Sequence, residues 1–131
     1  MSMCQEIRPD SDLLRVCVTG EFALEEAKRT FLEIMDAVAL HKTKKVLFDG
    51  RTITGNPRTI ERFYYGEFAA ATAAHYLAQS ASVAPRFAFV LREPVLDPER
   101  FGETVAVNRG MLIKVYDNLE EALAWLAGGG R

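Results

Sequence analysis

The sequence predicts an α/β fold: a mixed, mostly parallel sheet of about five strands with flanking helices, in the order β-β-α-β-α-β-α-β-α. Three observations carry this expectation. Short apolar runs alternate with longer segments in which apolar residues recur at helical spacing. The run Val46-Leu47-Phe48 lacks any alternation of apolar and polar residues, as in a central strand covered on both faces by helices. The first two strand-like segments flank Pro9-Asp10-Ser11-Asp12, so the sheet starts with a hairpin and an antiparallel edge strand, and right-handed crossovers join the rest.

Taken in order, Gln5–Arg8 and Leu13–Thr19 form the hairpin. In the second strand Leu14, Val16 and Val18 share one face, and Leu13, Arg15, Cys17 and Thr19 the other. Leu24–Leu40 is an amphipathic helix with Ala27, Phe31, Ile34, Met35 and Val38 on its apolar side. Glu25 and Glu26 stand at its start and His41, Lys42, Lys44 and Lys45 beyond its end, matching the helix dipole. After the Val46–Phe48 strand, Asn56-Pro57 reads as an N-cap followed by proline at the first helical position. The helix it opens is expected to run to about Ala78, with Ile60, Phe63, Tyr64, Phe68, Ala71 and Ala74 along one apolar side. Gly66 and Ala69-Ala70-Ala71 make part of it thin enough for another backbone to approach.

Ser80–Pro85 is a small-residue connector to the strand Arg86–Leu91. Asp97-Pro98 repeats the cap-and-proline signal and predicts a helix from Pro98 to about Arg109, stopped by Gly110. Leu112–Tyr116 is the last strand, and Asp117 or Asn118 caps a final helix over Leu119–Leu126. Residues 1–127 are read as a single domain and the tail Gly128–Arg131 as disordered.

The chain of 131 residues is 49% hydrophobic and 26% charged, enough for one core without metals or disulfides. A net charge of −2 and a pI near 5.7 argue against a general nucleic-acid binder. Cys4 and Cys17 match no ligand or disulfide pattern, and no apolar run approaches the roughly 18 residues of a membrane span. A reduced, cytoplasmic protein without membrane insertion is expected.

No reaction can be read from the residues. Cys17 reads as a packing residue rather than a nucleophile, since no histidine lies near it in sequence. His41 reads as a helix-terminal cation, and His75 lacks a carboxylate or second ligand at useful spacing. Trp125, with Glu120-Glu121, reads as part of a docked terminal helix. No nucleophile triad, metal-binding histidine pair or phosphate-binding loop is present in the sequence, so no cofactor is expected.

A binding site is expected at the turn after Asp49. Arg51, Arg58 and Arg62 lie close in sequence with Thr52, Thr54, Gly55, Asn56 and Thr59, at a helix start whose free N–H groups favour an anion. The competing reading pairs the arginines with Asp49, Glu61 and Glu67 on a wet surface. Tyr64, Tyr65 and Phe68 form the neighbouring candidate surface for a ligand or partner. Tyr65 is the one expected to be exposed, because it leaves the apolar stripe.

The segments VLFDGRTITGNPRTIERFYYGEFA and FGETVAVNRGMLIKVYDNLEEALAWL make the chain resemble the SpoIIAA-like family of STAS/SEC14-domain proteins. The resemblance spans about Leu13 to Leu126. Its most specific pieces are Asp49 with Arg51 and Gly55, the Asn108-Arg109-Gly110 turn, and Glu121–Leu126. It implies the STAS architecture and a non-enzymatic regulatory or protein-interaction module, with a protein partner. Homodimerisation and a small apolar, lipid-like or anionic ligand stay open beside it. Antagonist-type STAS domains carry a phosphorylatable serine at this turn, where the present chain has Thr52, Thr54 and Thr59 in a different setting.

Overall fold

The computed structural model describes residues 3–80 and 84–128. Among them the elements run β1 (Cys4–Asp10), β2 (Leu13–Glu21), α1 (Leu24–His41), β3 (Lys45–Thr54), α2 (Thr59–Ser80), β4 (Arg86–Val90), α3 (Phe101–Asn108), β5 (Ile113–Tyr116) and α4 (Leu119–Ala127). This is the predicted order. Residues 81–83 of the expected connector and 129–131 of the expected tail lie outside the described residues.

The five strands form one sheet in sequence order, β1 antiparallel to β2 and the others parallel. Asp10 pairs with Leu13, leaving Ser11-Asp12 as a two-residue hairpin loop in which Ser11 takes a φ of +60°. Crossovers of one hand that step always in one direction deposit their helices on one face. Accordingly α1, α2 and α3 all cover the face carrying Leu14, Val16, Val18, Phe48, Phe87, Phe89 and Ile113. After β5 no further strand follows among the described residues, and α4 turns to the other face, where Ala122 and Leu126 pack on Leu47, Ala88 and Val90. Arg86 secures it, donating to the Trp125 and Leu126 carbonyls (2.7 and 3.1 Å) with its guanidinium 4.0 Å from the Trp125 ring. Asn118 is the cap, its Oδ1 accepting from the Glu121 N–H at 3.0 Å.

Four expectations are corrected. First, β3 does not stop at Phe48. Its pairing with β2 shifts register between Cys17/Asp49 and Thr19/Thr52, so β3 carries one extra residue, and Ile53 rather than Thr52 returns to the core. Gly50 sits inside this bulge, where a Cβ would come within 2.7 Å of Ile53 Cδ1. Second, both proline signals precede the helices they were read as opening. α2 starts at Thr59, with the Glu61 carboxylate accepting from the Arg58 N–H at 2.9 Å as half of a capping box. α3 starts at Phe101, whose N–H donates to Asp97 at 3.0 Å across a turn containing Pro98.

Third, the buried side of α2 is not the one with the largest side chains. Gly66, Ala69 and Ala70 are buried, whereas Ile60, Tyr64, Ala71 and Ala74 are exposed. The cause is the close crossing of α2 and α3: a Cβ on Gly66 would stand 2.6 Å from the Gly102 carbonyl oxygen, and one on Gly102 would stand 3.2 Å from that of Arg62. Fourth, Cys17 is exposed, because α4 leaves the β1–β2 end of its face uncovered.

The end of α3 follows the sequence closely. Gly110 has φ +95°, its N–H donates to Val107 and the Met111 N–H to Ala106, a Schellman ending that glycine favours.

Candidate functional site

The site is built from the turn Gly55–Arg58, the first turns of α2, and the segment Arg92–Arg100 that leads into α3. Gly55 takes φ +107°, which lets β3 turn towards α2 beside Phe22. Arg62, one turn into α2, reaches across to this second segment. Its two terminal nitrogens donate to the carbonyls of Pro94 and Val95, each at 2.8 Å. Asp97 anchors the same segment by accepting from the Glu99 and Phe101 N–H groups. Those bonds, the Phe101 one foremost, hold its carboxyl below the usual aspartate range. Between them lies a cleft of about 420 Å³ bordered by Asn56, Thr59, Glu93, Asp97, Glu99 and Phe101.

The three arginines of the turn do not converge. Arg51 lies on β3 and grips Asp49 in a bidentate pair, Nε to Oδ1 at 2.9 Å and Nη2 to Oδ2 at 2.8 Å. The Arg51 hydrogen bond keeps the Asp49 carboxyl below its ordinary value, with a smaller contribution from Arg15. Arg58 is exposed, with Glu61 at 3.5 Å, and Arg62 is committed to the loop carbonyls. Arg109, not one of the three, is the partner of Glu67, at 3.0 Å. Thr52 and Thr54 are exposed on β3 rather than in a loop. Gly55, Asn56, Arg58 and Arg62 are thus grouped around the turn and cleft, and Arg51, Thr52 and Thr54 stand apart on the strand.

The aromatic candidates separate as well. Tyr64 is 47% exposed and Ile60 46%, and with Phe101 at 37% they give the α2–α3 surface an uncovered apolar area. Phe63 lies between them, its ring stacked on Phe101 and crossed by Tyr64. Tyr64 and Phe68 also border a shallow groove with Lys28 and Arg109. Tyr65, expected outside, points inward and meets Phe31 edge to face at 6.3 Å. Burial pushes its phenol pKa well above the usual tyrosine value. It is turned inward because it shares the helical stripe of Gly66, Ala69 and Ala70.

Tyr65 lines a cavity of about 120 Å³ between the sheet and the helical layer, bounded by Phe22, Phe48, Ile53, Phe89 and Leu96. The sequence pattern marks Tyr64, Tyr65 and Phe68 as a surface for a ligand or partner and gives no sign of this cavity. Phe101, Arg100 and the Arg92–Leu96 segment were missed too, although the Asp97-Pro98 turn signal marked their position.

Asp49 and His75 lie on opposite sides of the sheet, Asp49 on the α4 face and His75 exposed on α2. Among the described residues no group of three His, Cys, Asp or Glu could hold a metal ion, and no helix is long and apolar enough to cross a membrane.

No protein-family model matches the sequence, and no curated protein matches it. Solved structures do. A crystal structure of an anti-sigma factor antagonist from Mycobacterium paratuberculosis superimposes with a TM-score of 0.62 at 17% identity, covering 96% of this chain and 95% of that one. An uncharacterised DUF3478-family protein with a SpoIIAA-like fold, from Shewanella loihica, gives a TM-score of 0.50 at 18% identity over 95% and 94% of the two chains. The chain has the SpoIIAA-like fold. Within that fold the cleft and the exposed aromatic area both lie where β3 hands over to α2, and the cavity lies directly beneath.

Proposed function

We propose that this chain is a STAS-type regulatory module that binds a protein partner and catalyses no reaction, and that the partner docks on the turn Gly55–Arg58 and the adjoining α2–α3 surface. The observation that carries the reading is the apolar area formed by Ile60, Tyr64 and Phe101 beside that turn. Exposed apolar side chains grouped at a cleft and rimmed by Arg58, Glu99 and Arg109 have the make-up of a protein-binding patch: aromatic centre, charged border. The likeness in fold to an anti-sigma factor antagonist supports the same class of function.

The test is capture of partners from a lysate of the source organism on immobilised wild-type chain and on the double variant Ile60→Ser/Tyr64→Ser, with quantitative mass spectrometry. Both positions are about half exposed, so the variant keeps its melting temperature. The account expects the specifically captured protein to fall at least about tenfold on the variant, as for a lost interface anchor. Equal capture would place the docking surface elsewhere.

A second reading, a carrier of a small apolar ligand, is supported by the cavity beside Tyr65 rather than by the groove beside Tyr64 and Phe68. An anion site made jointly by Arg51, Arg58 and Arg62 has no support in their placement.

A further inference from the structure

The cavity beneath the docking surface is walled by aromatic and aliphatic side chains from the sheet, α1, α2 and the Arg92–Leu96 segment. Its volume of about 120 Å³ is close to the ~150 Å³ of an apolar protein cavity that accepts benzene. That size admits one ring or a short chain and is far too small for a two-chain lipid.

The polar groups on its wall are almost all spoken for. Arg62 is bonded to the Pro94 and Val95 carbonyls. Asp97 accepts from two backbone N–H groups. Arg100 donates to Glu103 and to the Val115 carbonyl, while Glu103 also accepts from the Val115 N–H at 3.2 Å. The Thr30 hydroxyl donates to Gln5 at 3.4 Å.

The Tyr65 hydroxyl is the exception. Among the described residues, no hydrogen-bond partner meets it, yet no side-chain oxygen or nitrogen that is sealed from all open space lacks a partner. Its oxygen therefore opens onto space, and the half-buried Tyr65, packed edge to face on Phe31, is one of the side chains that line the cavity. A set of waters would fill it poorly, since each needs about two to four polar partners. An ion would enter a space whose charged wall groups already hold hydrogen-bond partners, at a high desolvation cost.

We propose that this cavity is a binding site for a small neutral molecule, one ring or a short chain in size, carrying a carbonyl or ether oxygen that accepts the hydrogen bond of the Tyr65 hydroxyl. The inference rests on the ligand-carrier reading and is independent of the docking reading.

The test is NMR titration of the ¹⁵N-labelled chain with cyclohexanone, with cyclohexane and with pentanoate, repeated on Tyr65→Phe and Ala27→Val after thermal melts confirm that each variant is folded. Cyclohexanone is expected to give saturable shifts centred on the Tyr65, Gly66 and Leu96 amides. Tyr65→Phe weakens its binding about threefold to tenfold, the worth of one neutral hydrogen bond, and leaves cyclohexane binding unchanged. Ala27→Val, which adds two methyl groups to the wall, abolishes binding of both, and pentanoate gives no shifts at these amides. Absence of saturable shifts with either neutral probe overturns the ligand-carrier reading and this inference with it. Equal cyclohexanone affinity in wild type and Tyr65→Phe overturns the inference alone. Tighter binding of pentanoate overturns the neutral class, and retained binding in Ala27→Val overturns the cavity as the site.

Discussion

The two sides of α2 have opposite compositions and do opposite work. The side towards the sheet and α3 is thin at Gly66, Ala69 and Ala70, with Tyr65 lining the cavity and Phe68 and Tyr76 packed on the core further along the helix. The outer side carries Ile60 and Tyr64 with Phe63 between them, partly covered by Phe101. Where two backbones approach as closely as at Gly66 and Gly102, bulk cannot be accommodated, and Ile60 and Tyr64 lie outside that contact. Side-chain size is a guide to burial only where the partner surface leaves room. The consequence is a helix whose close packing and whose exposed apolar surface are held by different residues.

The largest effect is expected on the thin side. Gly66→Ala gains roughly 1 kcal/mol of helix propensity but drives a Cβ to 2.6 Å from a backbone oxygen. A net loss of about 2 kcal/mol is expected, seen as a lower denaturant midpoint. A stability equal to wild type would show that the helices can part at little cost and that the two sides are not so different.

The arginines at the start of the helix sharpen the comparison. Arg62→Ala removes two charge-assisted bonds to the Pro94 and Val95 carbonyls and is expected to cost about 1.5–2 kcal/mol, whereas Arg58→Ala, at a loose surface pair, costs less than about 0.5 kcal/mol. Thermal melts of the two variants measure the gap. A triple replacement of Arg51, Arg58 and Arg62 would mix lost fold contacts with any lost docking.

A smaller effect is expected at Asp49, on the face α4 leaves partly open. Asp49→Asn is expected to cost about 1 kcal/mol at neutral pH, because its bidentate bond to Arg51 joins a 15% exposed carboxylate to a guanidinium that is 33% exposed and partly screened by solvent. The folded carboxyl has a lowered pKa. Its contribution is therefore complete above the ordinary aspartate value of ~3.9 and fades as pH falls through the lower folded value. The stability difference between wild type and Asp49→Asn should close over that range, and a difference that persists unchanged at pH 2 would assign the effect to packing.

Element order and the hairpin were legible because they depend on local pattern: alternation at Leu13–Thr19, apolar runs at Val46 and Arg86, and a glycine stop at Gly110. The start of each proline-flagged helix was not, because Asp97 caps Phe101 from outside the helix and Glu61 does the work expected of Asn56. The bulge that re-aims β3 depends on pairing with β2, and the inward turn of Tyr65 depends on the packing of α2 against α1 and α3, both non-local. At the candidate site the turn itself could be located in sequence. Its cleft could not, since the opposing wall, Arg92–Phe101, comes from more than thirty residues away.

A protein partner on the outer side of α2 at its first turns would shield the amides there. Amide hydrogen exchange of the chain, alone and with the partner recovered by capture, tests this placement most directly. Added protection is expected over residues 56–64 and 99–102, with α4 and the open β1–β2 face unchanged. Protection confined to α4 or to β1–β2 would contradict it.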